Sequence, residues 1–379
     1  MFPFLTLYLT KKMGMSEKAA GAFFTIAAIS AAPGLIVGGK LADNIGRKKT
    51  FSLFQSASVL CFVPCALLGR NLIIPWLLIL SSFFNGGAQP ALGAMINDLT
   101  NPNNRKQAFS LLYLGNNIGF AVGPLLAGFL FTYHTSFLFI GNFITGIFAV
   151  IILMKFIKET IPKVVTNEGE VAIHINEQAE TGSFSSILFK KPRLLIFALL
   201  SIIYSFVYAQ FPFCGSLQIK EVFSRGPELY GALMTVNGLV VITMTTPIIR
   251  LTSSIKPLLN VAIAGVFFAV GMGMLYFIHT LPLFIISTII WTIGEILNAT
   301  NAGVYIANNT PSSHRGRFNA IIPLITGSGF ALGPLIMGTY INGRGVRAAW
   351  PLVFTVEMGA SIMIFILYII DKRVESKIR

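Results

Sequence analysis

The chain has 379 residues, of which 54% are hydrophobic and only 11% are charged. Soluble domains carry about 25% charged residues, so this composition and the mean hydropathy of +0.75 exclude a set of soluble domains and indicate a protein that crosses a membrane several times. The formal net charge of +14 does not predict nucleic-acid binding, because Lys and Arg fall in short segments between apolar runs and build no continuous basic face.

The chain begins with a short apolar stretch, FPFLTLYL, at residues 2–9. Eight residues rise only about 12 Å as a helix, which is far less than the thickness of the hydrocarbon core. We therefore expect this stretch to be the outer end of an incomplete first span, and we number it span 1.

Eleven longer apolar segments follow, and each approaches the roughly 20 residues that a helix needs to cross a bilayer. We predict spans 2 to 12 at residues 19–39, 50–69, 72–97, 107–131, 137–157, 193–214, 228–249, 257–278, 282–308, 317–341 and 349–370.

Basic residues predict the orientation of these spans. Alternate connecting segments hold 20 of the 28 Lys and Arg residues, and the opposite set holds 8. Cytoplasmic loops carry the excess of positive charge. The richer set is therefore predicted to be cytoplasmic, with the C-terminus, in a plasma or inner membrane.

The longest hydrophilic stretch lies near the middle of the chain and is too short for a catalytic domain. We expect a cytoplasmic linker there, with one short surface helix. The predicted organisation is an N-terminal helical half at 1–157, the linker at 158–192, a C-terminal helical half at 193–371 and a cytoplasmic tail at 372–379.

An internal repeat supports two halves. With an offset of 210, RKQAFSLLYLGNNIGFAVGPLLAG at 105–128 aligns with RGRFNAIIPLITGSGFALGPLIMG at 315–338, and nine of the 24 positions are identical. Parallel repeats are typical of secondary transporters whose substrate site lies between the halves near the bilayer midplane.

The cytoplasmic loop between spans 2 and 3 reads GGKLADNIGRKK, at 38–49. A loop that only anchors topology needs no acid, yet an aspartate lies beside three basic residues. We predict a gating latch in which the arginine of the loop pairs with that aspartate or with the acid at the end of span 4. The aspartate would lie near the N-terminus of span 11. The alternative is a topology anchor. The predicted latch residues are Gly39, Asp43, Arg47, Asp98 and Arg105.

Span 5 contains GFAVGPLLAG, which places Gly119, Gly123 and Ala127 on one face at the spacing of helix–helix contacts. Pro124 allows a bend, because it leaves a carbonyl unpaired. With Gly128, these residues form a predicted seal between the halves. Plain close packing is the alternative.

Few acids lie within spans, and Glu295 is the best placed. It shares a helix face with Trp291, Asn298 and Tyr305. An ionisable group inside a span is a functional candidate, so we predict that Glu295 and Asn298 couple proton transfer to substrate binding. A protonated Glu295 bonded to a neighbouring helix is the alternative. For Glu357 in span 12, both interpretations stand. The predicted cavity residues are Asn85, Gln89, Tyr204, Tyr208, Gln210, Trp291 and Tyr305.

Several chemistries have no support in the sequence. Cys61, Cys65 and Cys214 give no disulfide or metal-ligand spacing, and no nucleotide-binding motif or catalytic triad is visible. No Lys or Arg lies mid-span, which argues against transport of multiply charged anions. We therefore expect no enzyme activity, no metal and no cofactor.

Two motifs resemble those of the major facilitator superfamily, and the resemblance extends across essentially the whole chain. Residues 39–49 resemble its loop 2–3 signature, with Asn44 where an arginine is usual. Residues 119–128 resemble the span 5 signature of its drug:proton antiporter branch, with Ala127 in place of a glycine. That branch usually carries an arginine in span 4 where this chain has Ser82, so its coupling would differ. The resemblance implies an all-α membrane fold of two six-helix halves, with the first helix incomplete.

The sequence and the resemblance together predict a proton-coupled exporter of small lipophilic neutral or cationic compounds that works by alternating access. Its expected partners are a small-molecule substrate, protons and the lipid bilayer, without nucleic acid, and we expect a monomer. One alternative is a proton symporter that imports a neutral or zwitterionic nutrient. Another is a membrane receptor or scaffold that does not transport.

Overall fold

The computed structural model describes residues 2–69, 71–100, 105–160, 191–309 and 315–378. Within these ranges the chain is helical and has no strand, as the predicted all-α fold requires. Most of the predicted linker and its surface helix, at 161–190, lies outside the described residues.

Each predicted span is helical, with bounds that differ from the prediction by a few residues at most ends. Spans 3 and 7 are each interrupted, and span 12 continues beyond its predicted end. The helices are Phe2–Leu7 (span 1), Glu17–Ile45 (span 2), Arg47–Leu60 and Phe62–Leu67 (span 3), Ile74–Leu99 (span 4), Arg105–Tyr133 (span 5), Thr135–Phe156 (span 6), Pro192–Tyr208 and Ser216–Val222 (span 7), Gly226–Thr252 (span 8), Pro257–Gly273 (span 9), Leu281–Asn309 (span 10), Arg315–Ile341 (span 11) and Ala349–Ile378 (span 12).

Nine helices in the described ranges are long and apolar enough to cross a membrane. They correspond to spans 2, 3 and 6 to 12. Spans 4 and 5 are helices of spanning length as well, and the stretch FFNGGAQP makes span 4 more polar than the nine. The chain is therefore a multi-pass membrane protein.

Span 7 changes its helical geometry near its predicted outer end. A π-helical turn, Phe211–Gly215, separates its two α-helices and contains Pro212. Proline has no N–H to donate, and π-helical turns inside helices occur often at functional sites. This turn follows directly on the helix that carries Tyr204 and Tyr208.

The described residues fall into two compact units. Unit 1 comprises residues within 1–165, 215–235 and 334–342, and unit 2 comprises residues within 166–214, 236–333 and 343–379. Unit 1 thus combines the first half of the sequence with the predicted outer ends of spans 7, 8 and 11.

In unit 1, spans 2 and 4 pack backbone against backbone. A Cβ atom on Gly34 would collide with the carbonyl oxygen of Phe83, and one on Gly38 would collide with the carbonyl oxygen of Gly87. Gly86 makes the reciprocal approach, to the carbonyl of Ala31. Small residues permit this packing inside a membrane, where van der Waals contact rather than hydrophobic burial holds helices together.

Unit 2 is organised around span 9, whose carbonyls accept hydrogen bonds from three neighbouring spans. Tyr204 of span 7 donates to the carbonyl of Val261 over 2.9 Å, and Ser361 of span 12 donates to the carbonyl of Ala262 over 2.7 Å. Ser287 of span 10 donates to the carbonyl of Gly271 over 2.6 Å. These bonds fix spans 7, 10 and 12 around span 9.

The contact between spans 2 and 4 predicts opposite effects for two glycine-to-alanine substitutions. Gly38→Ala should lower the free energy of unfolding by about 1–3 kcal/mol, because the new methyl group forces the two backbones apart. Gly93→Ala should raise it by about 0.5–1 kcal/mol, because open space surrounds Gly93 and alanine favours the helix. Thermal unfolding of the purified protein measures both. Equal midpoints for the two variants would contradict the contact.

Candidate functional site

Spans 2 and 3 are joined by a single residue, Gly46, whose φ of +108° is a conformation that residues with a side chain rarely adopt. A Cβ atom at Gly46 would also coincide with the carboxylate of Glu159. The glycine is required both for the backbone conformation and for the approach of this acid.

Glu159 caps the N-terminus of span 3. Its Oε1 accepts the N–H of Lys48 over 2.9 Å, and its Oε2 accepts the N–H of Lys49 over 3.1 Å. Span 3 has no acid in its first turn, so Glu159 supplies the negative charge that a helix N-terminus favours. Sequence analysis did not single out this residue. Two features of the sequence could have indicated it: span 3 begins with three basic residues, and an acid stands just after span 6.

Arg47 and Asp98, two of the predicted latch residues, lie together. The Nε of Arg47 is 3.1 Å from Oδ2 of Asp98, and its guanidinium donates to the carbonyl of Ala42 over 3.0 Å. The Arg47 side chain is only 9% exposed. Burial beside an acid distinguishes it from a solvated topology anchor. The side chains of Asp43 and Arg105 lie outside the described residues, and the role of the group as a latch stays a prediction.

An apolar cluster of spans 2, 3 and 4 lies beside this ion pair. Three alanines, two phenylalanines and a methionine form it, and Leu153 and Ile157 at the end of span 6 pack against it. The ion pair is therefore shielded from water on one side, which strengthens its electrostatic attraction. The buried members of the cluster are Ala42, Phe51, Phe54, Ala88, Ala91 and Met95.

The two lysines that follow Arg47 have different surroundings. Lys48 donates through Nζ to the carbonyl of Met154 in the last turn of span 6, over 2.7 Å, where a cation is favoured by the helix dipole. Lys49 is exposed. The loop thus connects the ends of spans 3, 4 and 6.

The cap on span 3 predicts a graded loss of stability. Glu159→Ala should lower the free energy of unfolding by about 1 kcal/mol, because two helix N–H groups lose their acceptor. Glu159→Gln keeps one acceptor oxygen and should fall between Glu159→Ala and the wild type. Lys158→Ala, at an exposed neighbour, is the control and should leave thermal unfolding unchanged. Identical midpoints for all three variants would contradict the capping role.

Two contacts at the predicted outer ends in unit 1 are related by the sequence repeat. A Cβ atom on Gly21 of span 2 would collide with the carbonyl oxygen of Pro334 in span 11. A Cβ atom on Gly231 of span 8 would collide with the carbonyl oxygen of Pro124 in span 5. Both pairs differ by the offset of 210. Each GFAxGPL proline therefore meets a glycine from the other half of the sequence.

The span 5 motif makes contacts through two of its predicted residues. Gly128 lies against the backbone of Pro227 in span 8, and the carbonyl of Pro124 meets Gly231. About two turns before Gly128, the carbonyl of Ala121 accepts a hydrogen bond from Thr235 over 2.6 Å. Among the described residues, nothing lies within 4 Å of where a Cβ atom on Gly119 or Gly123 would be. The seal between the halves stays a prediction.

In span 11 the counterparts of Gly119 and Gly123 are covered. Gly329 and Gly333 pack against Ile202 and Phe206 of span 7.

The outer contacts predict that bulk at either glycine separates the outer ends. In protein without its native cysteines, a disulfide between Ala121→Cys and Thr235→Cys reports closure of these ends. Gly231→Val and Gly21→Val should each reduce disulfide formation, because overpacking of about 1–3 kcal/mol shifts an equilibrium by roughly 5-fold to 150-fold. Gly123→Val, with open space around it, should not. Equal disulfide formation in all three variants would contradict the account.

Glu295 lies at the junction of spans 7, 8 and 10. Its Oε1 accepts the hydroxyl of Tyr208 over 2.9 Å, and its Oε2 accepts the side-chain amide of Asn237 over 2.8 Å. The same amide donates to Thr292 over 3.0 Å. Asn237 lies in span 8 and was missed by sequence analysis, because a single amide in an apolar helix carries no motif.

The donors to Glu295 are both neutral. No basic residue pairs with it among the described residues, and its side chain is partly exposed. Asn298, one turn further along, is also partly exposed. Neutral donors bring no positive charge that would balance the anionic form of this group. Such a group can exchange a proton for a cation that reaches its exposed side.

Aromatic rings surround this carboxylate. Tyr208 lies 6.5 Å from Trp291 and 6.3 Å from Phe330, measured between ring centroids. Trp291 packs on Phe211 at 4.8 Å. Tyr208 and Phe330 are partly exposed, so their faces remain available to a ligand.

Four predicted cavity residues are instead packed between helices. Each is at most 5% exposed, because its polar group or ring meets a neighbouring helix or its own backbone. The side-chain amide of Gln210, for example, donates to the carbonyl of Phe206 over 2.6 Å. The four residues are Tyr204, Gln210, Trp291 and Tyr305.

Asn85 and Gln89 in unit 1 are exposed and bonded to each other over 3.1 Å. Polar groups that face lipid are costly, so this face of span 4 is more stable against water than against lipid. This is compatible with the predicted cavity.

A second polar cluster lies at the predicted cytoplasmic end of unit 2. Asp371 accepts a hydrogen bond from Tyr305 over 2.9 Å and pairs with Arg193, also over 2.9 Å. A cavity of about 200 Å³ adjoins these residues and is also lined by Lys256 and Tyr368. Asp371 was not predicted, because it follows span 12 among solvated charges in the sequence.

No group of three or more His, Cys, Asp or Glu residues that could hold a metal ion occurs in the part of the chain that the structure describes. The three cysteines are buried and free.

Comparison with known proteins identifies relatives along the whole chain. A family model described as Major Facilitator Superfamily matches residues 1–269 and 215–379. The chain is 26% identical over 374 residues to an uncharacterized MFS-type transporter, YqjV, of Bacillus subtilis (strain 168), which covers 95% of this chain and 86% of the relative. It is 24% identical over 391 residues to a Na(+), Li(+), K(+)/H(+) antiporter of Planococcus maritimus, which covers 92% and 91%.

Solved structures share the fold. A peptide transporter, POT, matches with a TM-score of 0.76 at 14% identity and covers 98% of this chain and 91% of its own. A nucleoside transporter, NupG, also matches with a TM-score of 0.76 at 14% identity, over 97% and 96%. At this identity the similarity shows the fold alone.

Proposed function

The chain belongs to the Major Facilitator Superfamily of secondary transporters, and we propose that it is a proton-coupled exporter of small lipophilic neutral or cationic compounds. It would work by alternating access in the cell membrane, with the linker and the C-terminus in the cytoplasm. In this respect the proposed activity is that of the drug:proton antiporter branch of the superfamily.

The single observation that carries the proposal is the environment of Glu295. Its two carboxylate oxygens are each held by one neutral donor, and it is partly exposed within an apolar helix. A proton or a cationic substrate compensates the charge equally well, but both cannot do so at once. Competition for one carboxylate couples export of the substrate to proton entry.

Aromatic surface supports a lipophilic cation as the substrate class. Tyr208 and Phe330 present partly exposed rings near the carboxylate. Ring faces attract cations, and the attraction is greatest where water is excluded. A neutral lipophilic compound could use the same rings without the charge.

Alternating access would use the contacts described in unit 1. The glycine–proline contacts at the outer ends, Gly21 with Pro334 and Gly231 with Pro124, must separate when the site opens outward. The group around Arg47 and Asp98 would close the opposite side in that state, as the predicted latch. Both sets consist of small or paired polar contacts, which can break and re-form.

Exchange of alkali cations for protons is a second candidate. The relative from Planococcus maritimus is described as a Na(+), Li(+), K(+)/H(+) antiporter and matches over 92% of this chain. Oxygen atoms suit these cations. Glu295 accepts the hydroxyl of Tyr208, and the amide of Asn237 joins Glu295 to the oxygen of Thr292.

Inverted membrane vesicles, acidified inside, test the proposal. Lipophilic cations and, separately, Na⁺, Li⁺ and K⁺ are added, and proton release from the vesicles is recorded. We expect release with a lipophilic cation and none in Glu295→Gln, because the amide keeps the shape but cannot exchange a proton. Glu221→Gln, at an exposed acid of span 7, is the matched control and should behave as wild type.

Each other outcome overturns part of the proposal. Release with alkali cations alone would establish the second candidate. Release that persists in Glu295→Gln would place coupling at another residue. Proton movement together with a neutral or zwitterionic nutrient, in the same direction, would establish a symporter. Silence with every class of compound, in correctly folded protein, would favour a receptor or scaffold.

A further inference from the structure

Glu357 of span 12 is the most deeply buried acid in the described residues. Its exposed fraction is 0%, and neither of its carboxyl oxygens has a hydrogen-bond partner among the residues that the structure describes. An unpaired carboxylate inside a protein is strongly disfavoured, whereas a neutral carboxylic acid is tolerated. The group therefore needs an explanation that packing alone does not supply.

The surroundings of Glu357 form a junction of three spans. Ser361, one turn along span 12, and Tyr204 of span 7 converge on Gly265 of span 9, where a Cβ atom would collide with both side chains. The hydroxyl hydrogens of Tyr204 and Ser361 are used by carbonyls of span 9, at 2.9 and 2.7 Å. The junction thus offers oxygen atoms rather than free donors to Glu357.

Among the described residues, span 7 brings two titratable groups toward this junction, Tyr204 and, one turn further along, Tyr208. Span 9 has no titratable residue between Pro257 and Leu275. The turns at the outer end contribute Tyr276, His279 and Arg347, which lie toward the surface. No basic side chain in the described part of the chain is hydrogen-bonded to Glu357.

Span 7 connects this junction to Glu295. Tyr204 and Tyr208 lie one turn apart, and each has its ring centroid 6.3 Å from Phe268 of span 9. Tyr208 donates to Glu295 over 2.9 Å. Two successive turns of one helix are therefore each directed toward a different acid within the membrane, Glu357 and Glu295. The π-helical turn Phe211–Gly215 follows directly and offers a point at which this helix can rotate.

We propose that Glu357 is a second proton-binding carboxyl, whose occupancy is coupled to that of Glu295 through Tyr204 and Tyr208 of span 7. The proposal rests on the proposed function for the direction of proton flow, but not for proton binding itself. It implies that the transport cycle moves one proton more than exchange at Glu295 alone.

A proton fits this site better than a metal ion. An alkali cation needs several oxygens that converge within coordination distance, and no described group lies within hydrogen-bond distance of the Glu357 oxygens. A proton needs one oxygen. Binding forms one O–H bond on a carboxylate oxygen and gives a neutral acid. Release breaks that bond, leaves the carboxylate anion and returns the proton to water.

Infrared spectroscopy of the full chain in lipid nanodiscs, without substrate, tests the proposal. The carbonyl stretch of protonated carboxylic acids is recorded as the pH is raised and lowered. We expect two components that titrate reversibly. Glu357→Gln should lose one of them and shift the pH midpoint of the other, while Glu295→Gln should lose the second. In Tyr204→Phe both components should remain, but the shift should disappear. Thr355→Ala, at an exposed position of span 12, is the control and should match wild type.

A Glu357 component that is present at every pH would overturn the proposal, because the acid would then be permanently protonated and structural. An infrared spectrum that is identical in wild type and Glu357→Gln would overturn it as well, because the group would then be ionised. Persistence of the Glu295 component shows that Glu357→Gln is folded. If this component is lost, Glu357→Asp, which keeps a carboxyl, must shift the assigned component. Failure of transport in vesicles leaves this titration unchanged, so the two proposals fail separately.

Discussion

The charge of one carboxylate, Glu295, is the constraint on which the functional part of the structure depends. A carboxylate within an apolar helix is costly unless its oxygens are bonded, and here Tyr208 and Asn237 bond one oxygen each. These donors come from spans 7 and 8, while the acid is in span 10. These bonds hold three spans together, and in the proposed cycle neutralisation of the anion would weaken both of them at once. A proton or a bound cation would then act directly on helix packing.

The contacts that would respond to such a change are of a kind that can break. At the outer ends of unit 1 two glycines meet two proline carbonyls, in positions related by the sequence repeat. Small residues let backbones meet closely, so separation exposes little apolar surface. At the other end, Arg47 lies between Asp98 and the carbonyl of Ala42, and Glu159 fixes the start of the helix that carries it. Span 7 adds a π-helical turn just beyond Tyr208. The π-helical turn therefore lies on the same span as Tyr208, which bonds Glu295.

Much of the fold followed from composition and periodicity, because a membrane forces each spanning segment to be a long apolar helix. The offset of 210 also correctly related the two GFAxGPL segments. The contact face of span 5 was not predictable from that motif, since Gly119 and Gly123 satisfy the same spacing as Gly329 and Gly333, but among the described residues only the latter pair meets a neighbouring helix. Which glycine is covered depends on tertiary neighbours.

The candidate site was predictable only in part. Glu295 stands out because acids are rare in spans, and its partner Tyr208 was among the predicted cavity residues. Asn237 and Glu159 were missed, since each acts through a long-range contact that no local pattern announces. Tyr204 and Trp291 were assigned to an open cavity because aromatic residues on a polar stripe suit a ligand. Helix packing buries both, which sequence spacing cannot reveal.

The most direct test of the central claim separates exchange of substrate from net transport in proteoliposomes that contain Glu295→Gln. If Glu295 couples the proton to the substrate, the variant should exchange labelled for unlabelled substrate across the membrane, because alternating access itself needs no proton, but it should no longer accumulate substrate against its gradient. Accumulation at the wild-type level would contradict the account, because the coupling proton would then be carried elsewhere.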